Sequence, residues 1–246
     1  MLKFFVNKDQ IKDDNIIIVG QDAIHIKKVL RLKVDTLLNI SDNEKNTYEC
    51  KIENIEDDQI KCRIIEKKEE DNENSVNITL FQGIAKFDKM DYIIQKATEL
   101  GINTFYPTIT KRTVVKLDDK AKEKKVLRWQ QIANEASKQC KRTCVPKIEN
   151  VIFLKDICNL VSFYDIILLA YEKDNNYLKN ILTNINKNIQ NIAVIIGPEG
   201  GFEEDEVNML LEYNNVNSVS LGKRILRTET ASILLISNIL YEFNEM

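Results

Sequence analysis

The chain has 246 residues, 43% hydrophobic and 30% charged, with a formal net charge of −3, which is long enough for two small domains or one large one. A single histidine, His25, leaves a Ser-His-Asp triad, a Cys-His pair or a multi-histidine metal site only one place to form. Five cysteines (Cys50, Cys62, Cys140, Cys144, Cys158) without CxxC spacing indicate neither a disulfide framework nor structural zinc, so reduced, mostly buried thiols and no metal are expected.

The first 70 residues read as short strands over Lys3–Val6, Asn15–Val19, Thr36–Ile40, Thr47–Ile55 and Gln59–Glu66, punctuated by Asp, Asn and Gly. A small β-barrel follows, with one or two helical turns at Asp22–Leu30. The polar stretch Lys67–Ser75 has no apolar anchor and predicts a linker, giving domains 1–73 and 74–246. Strands then alternate with helices, as in an α/β domain with a mostly parallel sheet. Strands are expected at Val76–Gly83, Thr104–Pro107, Asp165–Ala170 and Ile192–Ile196, and helices at Lys89–Gly101, Lys120–Arg142 and Glu229–Phe243. No signal-peptide core and no run of eighteen apolar residues occurs, so a cytoplasmic protein with no membrane partner is expected.

Charge is segregated along the chain. Residues 1–75 hold 13 basic and 17 acidic side chains, residues 82–147 hold 15 and 7, and residues 148–246 hold 7 and 14. A basic block between two acidic ones suits a polyanion, because Lys and Arg displace counterions condensed on phosphates. A solvated helix face is the plainer reading of the same charges.

Two segments near the C-terminus have site-building character. Ile196–Phe202 (IGPEGGF) ends a strand with a glycine-rich turn that a ligand can approach closely, at the strand end where open α/β sheets place ligands. It is not GxGxxG and lacks the Lys and Ser/Thr of a phosphate loop. The acidic run Glu203–Glu206 after it disfavours a pyrophosphate and favours a neutral or cationic ligand such as a sulfonium. Leu221–Ala231 (LGKRILRTETA) supplies a second loop, with Gly222 for the turn and Thr228 or Glu229 to cap the final helix. By themselves Arg224 and Arg227 read as surface charge, and Ile225 and Leu226 as packing.

In order along the chain, His25–Lys33 (HIKKVLRLK), Lys86–Ile102 (KFDKMDYIIQKATELGI), Pro107–Arg112 (P-x-x-T-x-R), Arg128–Arg142 (RWQQIANEASKQCKR) and the two terminal segments resemble the SPOUT methyltransferases. More closely, they resemble the RsmE family, which methylates N3 of a uridine in 16S rRNA of the 30S subunit. The resemblance implies an N-terminal PUA-like β-barrel, a C-terminal α/β domain with a deep trefoil knot, a homodimer and S-adenosyl-L-methionine as cofactor. It maps the cofactor pocket to Leu169, Ala170, Glu172, Gly197, Glu199, Gly201, Leu221, Gly222, Ile225, Leu226 and Thr230. Arg227 and Glu229 become the catalytic candidates, and His25, Arg31, Lys86, Lys89, Arg112, Lys138 and Arg142 the RNA contacts. Lys3, Val34, Phe87 and Lys141 depart from the family's usual residues (Arg, Gly, Gly and a small residue), all outside the cofactor loops. Two further readings stand beside this one: a related SPOUT enzyme acting on ribose 2'-hydroxyls or tRNA, and an RNA-binding protein without catalysis.

Overall fold

A computed structural model describes residues 2–69, 72–185 and 188–246. They form two compact units, Met1–Glu73 with Ser137–Val145, and Asn74–Ala136 with Pro146–Met246.

The first unit contains β1 (Lys3–Phe5), β2 (Ile11–Lys12), β3 (Asn15–Val19), α1 (Gly20–Ile24), β4 (Leu37–Ser41), β5 (Asn46–Ile55) and β6 (Gln59–Glu69). The sheet order is β1-β4-β5-β6-β3-β2, antiparallel throughout except for β1 with β4. Strand alternation sets its faces: Cys50, Ile52, Ile60 and Cys62 point inward, while Glu53, Lys61 and Arg63 are exposed. Register shifts between Glu49 and Cys50 and between Ile52 and Asn54 add twist, and the sheet curls around a core that includes Phe4, Ile16, Ile18, Leu38 and Ile40. Burial pushes the Cys50 and Cys62 thiols up to about 12, so both are inert. The other three cysteines are half-buried rather than buried. The helical turns expected at 22–30 are α1 followed by a π-helical turn over His25–Val29.

Part of the expected linker is strand. Lys67 and Lys68 pair with Tyr48 and Thr47 in β6, because ladder hydrogen bonds need no apolar side chain, while Glu70 and Asp71 of that segment lie outside the described residues. Glu73 is an anchor. Its carboxylate accepts two bonds from the Arg142 guanidinium, at 2.6 Å from Nη2 and 3.1 Å from Nε, and others from the Thr143 and Cys144 amides. The two side chains are 5% and 4% exposed. Arg142, expected on RNA, is therefore committed inside the first unit. Lys138 likewise donates to Asp22 at 2.7 Å and lies over the Phe4 ring. Lys141, with φ of +63°, holds a left-handed position that favours small residues, and the buried Lys3 ammonium donates to its carbonyl.

The second unit contains β7 (Asn77–Gly83), α2 (Lys89–Glu99), β8 (Thr104–Ile109), α3 (Asp119–Gln139, its last turn grouped with the first unit), β9 (Lys147–Ile148), β10 (Ile152–Phe153), β11 (Ile166–Ala170), α4 (Leu178–Leu182), β12 (Asn191–Ile196), α5 (Glu204–Leu211), β13 (Val216–Val219) and α6 (Thr228–Glu242). Its all-parallel sheet runs β10-β8-β7-β12-β11-β13, with β9 also on β8. The central strands are apolar runs with almost no exposed residue, as strands covered on both faces must be. In α3 the stripe of Trp129, Ala133 and Ala136 is buried, Val126 and Cys140 are half-buried, and the Lys125 ammonium lies 5.5 Å over the Trp129 ring. Helix α6 packs against α2 and the sheet through Leu235, Ile236, Ile239 and Leu240. Among the described residues, no helix is long and apolar enough to cross a membrane.

Candidate active site

Three segments leave the C-terminal ends of neighbouring parallel strands: 171–177 after β11, 197–203 after β12 and 220–227 after β13. They enclose a cavity of about 540 Å³ whose floor includes Ile196 and Ala231. Of the residues mapped to the cofactor pocket, Ala170, Glu172, Gly197, Glu199, Gly201, Leu221, Gly222, Ile225 and Leu226 line it. Leu169 does not; its side chain is fully buried in the core with Ile167, Ala193 and Ile195, because alternation along β11 turns it inward. Thr230 lines a neighbouring cavity instead, one turn along α6.

The glycine loop after β12 is braced by charge from outside. The Arg112 guanidinium donates to both Glu203 carboxylate oxygens, at 2.8 and 3.2 Å, and to the Gly200 carbonyl at 3.0 Å. Glu199 Oε1 accepts from Lys89 Nζ at 2.9 Å and from the Lys86 amide at 3.0 Å. Burial alone would raise the Glu199 carboxyl, but the Lys89 and Lys86 bonds outweigh it and hold the group below the usual carboxylate range. Arg112 and Lys89, expected on RNA, thus hold the ligand loop in shape, as does the backbone of Lys86. His25 and Arg31 are exposed on the first unit, where a polyanion can reach them.

The acidic run after the loop is largely neutralised inside the protein. Glu203 and Glu206 form a capping box on α5, Glu206 also accepts the Lys111 amide at 2.8 Å, and Asp205 pairs with the Lys111 ammonium. Its main effect is helix capping rather than repulsion of an anion.

Gly201 has φ of +67°, and a Cβ there would lie 3.5 Å from the Glu172 carboxylate; a Cβ on Gly197 would lie 3.1 Å from Gly201 Cα. The loop thus folds back on itself tightly at Gly197, while at Gly201 the positive φ, rather than lack of space, is what favours glycine.

The capping expected of Thr228 takes another form. Arg227 occupies the N-cap position of α6, and the buried Thr228 hydroxyl donates to the Gly197 carbonyl at 2.6 Å and accepts from the Gln82 amide at 2.8 Å. Ser232 closes this network: its single hydroxyl proton has the Gln82 side-chain Oε1 at 2.5 Å and the Thr228 backbone carbonyl at 2.9 Å as acceptors. Gln82 and Ser232 went unread in the sequence, although a glutamine ending the apolar strand ITLFQG was a visible signal: a buried polar group must find partners. Tyr171 and Arg224 also line the cavity and were not expected there.

The two catalytic candidates differ in placement. Arg227 is exposed at the rim of the cavity, whereas Glu229 is 16% exposed with its Oε2 buried, unpaired by any hydrogen bond and 3.9 Å from Lys89 Nζ. Among the described residues no cluster of His, Cys, Asp or Glu is arranged to hold a metal ion.

The RNA methyltransferase domain family matches residues 72–240, and the RNA methyltransferase PUA domain family matches residues 18–65. Ribosomal RNA small subunit methyltransferase E of Bacillus subtilis is 33% identical, the match covering 98% of this chain and 97% of that one. Its namesake in Mesomycoplasma hyopneumoniae is 34% identical, covering 96% and 98%. The solved structure of ribosomal RNA small subunit methyltransferase E from Neisseria gonorrhoeae, bound to S-adenosyl methionine, superposes with a TM-score of 0.85 at 28% identity, covering 98% and 97%. A methyltransferase from Legionella pneumophila, in complex with the cofactor SAM, gives 0.87 at 26%, with the same coverage. With both domain types matched and relatives above 30% identity along nearly its whole length, the chain belongs to the ribosomal RNA small subunit methyltransferase E family.

Proposed function

We propose that the chain transfers a methyl group from S-adenosylmethionine to N3 of a uridine in the 16S rRNA of the 30S subunit. The observation that carries this reading is the cavity enclosed by three strand-end loops, in a chain whose relatives are rRNA methyltransferases. The donor set suits an adenosyl sulfonium: an apolar floor of Ile196, Leu226 and Ala231, a glycine-rich loop at Gly197–Gly201 lining the cavity, and the Glu172 and Glu199 carboxylates to face positive charge. When bound, the cofactor supplies an activated methyl on sulfur. The protein's part is alignment and proton removal. The Glu229 carboxylate, which lines the adjoining cavity, would take the proton from uridine N3 and leave that nitrogen's electron pair free to accept the methyl group. Arg227, at the rim, faces the negative charge that develops on the base.

Base pairing hides N3, so the target uridine is extruded when it reacts. His25 and Arg31, with the exposed lysines of α3, hold the surrounding RNA through phosphates rather than by reading bases. The second unit is held to be a deep trefoil knot and the assembly a homodimer. Supporting the first, a Cβ on Gly83 would lie 2.3 Å from the Pro198 backbone, so the segments leaving β7 and β12 run at backbone contact. Supporting the second, Ile225 and Tyr241 are 86% and 75% exposed, large side chains to leave in water.

The test is incubation with methyl-labelled cofactor and unmethylated 30S subunits, then nucleoside analysis. 3-Methyluridine is the expected product. Its absence beside an active positive control overturns the reading, and a 2'-O-methylated nucleoside redirects it to a ribose acceptor. No heat of S-adenosylmethionine binding to the pure protein in calorimetry would remove catalysis altogether.

A further inference from the structure

Beside the first cavity, a second one of about 840 Å³ opens where the N-terminal ends of α2 and α6 meet, and Lys89 lines both. Phe87 is its most unusual residue. It holds φ of +54°, a left-handed conformation that disfavours a bulky side chain, and its ring is 90% exposed. Two costs, backbone strain and an apolar ring in water, coincide at one position, which points to a use for the ring outside the folded core. Tyr92, one turn into α2 and 47% exposed, supplies another ring on the same wall. On the opposite side stands Glu229, whose buried Oε2 lacks a hydrogen bond, with the Lys89 ammonium 3.9 Å away and held there by Glu199.

We infer that this second cavity is the subsite for the extruded pyrimidine base of the acceptor RNA, with Phe87 as its stacking platform and Glu229 and Lys89 as its reading pair. The inference rests on the uridine reading above, and its platform is this chain's own, since Phe87 departs from the glycine usual in the family. A π-face accepts any base, so the rings supply affinity. The polar pair supplies choice. Uracil presents a donor, N3–H, flanked by two carbonyl acceptors, and an acceptor carboxylate beside a donor ammonium matches that edge with N3 towards Glu229. Cytosine in the same pose would set its N3 lone pair against the carboxylate. Because Lys89 lines both cavities, the base edge lies next to the space that holds the methyl donor.

Phe87→Gly provides a clean test, since glycine favours the existing backbone and only the ring is lost. The expected result is an unchanged Kd for S-adenosylmethionine in calorimetry, with KM for the RNA raised about tenfold or more and Phe87→Trp restoring it. As a readout independent of turnover, a small-subunit rRNA transcript made with 5-iodouridine is irradiated with the protein and the digest mapped by mass spectrometry. Adducts on Phe87 or Tyr92 are expected. An unaltered KM in Phe87→Gly, or adducts elsewhere with none on either ring, overturns the subsite. So does a dimer that falls to monomer in Phe87→Gly by sedimentation, which would make the ring a contact between two copies of the chain. A wild-type product other than 3-methyluridine overturns the uridine-N3 reading instead, and the ring adducts report the subsite independently of it.

Discussion

Arg142 and Arg112 both lie in basic motif segments, and both fork onto a glutamate, yet their surroundings differ. The Arg142–Glu73 side chains are 4% and 5% exposed, those of Arg112–Glu203 37% and 45%. The sealed pair ties Ser137–Val145 into the first unit; the open one steadies a ligand loop in the second. The same type of ion pair therefore serves two ends. Removing one partner of a sealed pair strands a charge away from water, whereas an open pair exchanges its partner for solvent at little cost.

The sharpest way to break that comparison is Glu73→Gln, which should cost about 3–5 kcal/mol in urea unfolding; a loss near that of a surface substitution would show the pair is not sealed. The acid limb is a second check on it. Burial favours the protonated Glu73, but the Arg142 bonds and the Thr143 and Cys144 amides outweigh it and lower the folded-state value below the ordinary 4.5. Stability from this group is thus fully present above pH 4.5 and is lost as pH falls through the lower folded value, so Glu73→Gln should flatten that part of the stability–pH curve. Next in size, Gly201→Val forces a branched residue to φ of +67° in the loop the open pair steadies. S-adenosylmethionine affinity should weaken by about 1–3 kcal/mol or more in calorimetry, and unchanged affinity would mean the cavity is misplaced. Smallest is Glu203→Gln: a melting temperature close to wild type, cofactor affinity down a few-fold, and a difference from wild type that shrinks in high salt. A salt-insensitive effect there would put the open pair in the sealed class.

The elements that the sequence made legible were those with a strong period or an apolar run: β3 was matched residue for residue, and α2 and β12 to within two. Strand β13 was missed because Val216–Val219 is four residues with two polar ones between the valines, too short for alternation to register. The two-residue β9 and β10 take their identity from pairing with β8, which is a tertiary fact. In the site, glycine chemistry marked both loops and Thr228 was read as a cap, while its bond to Gln82 and the roles of Gln82 and Ser232 stayed hidden because they depend on a strand and a helix brought together from opposite ends of a domain. The resemblance that put Arg142 and Lys138 on RNA does not register that each is already held by a carboxylate. A basic residue in a basic segment looks like a phosphate ligand until the carboxylate that already holds it is located.

The bonds joining Gln82 to Thr228 and Ser232 span 146 and 150 residues of chain. Thr228 and Ala231 form part of the cavity wall, and contacts of such sequence separation form slowly. A nascent or prematurely terminated chain, however well its first unit folds, holds an incomplete cavity. A copy cut short before Thr228 therefore lacks one wall of the cavity and should not hold the methyl donor.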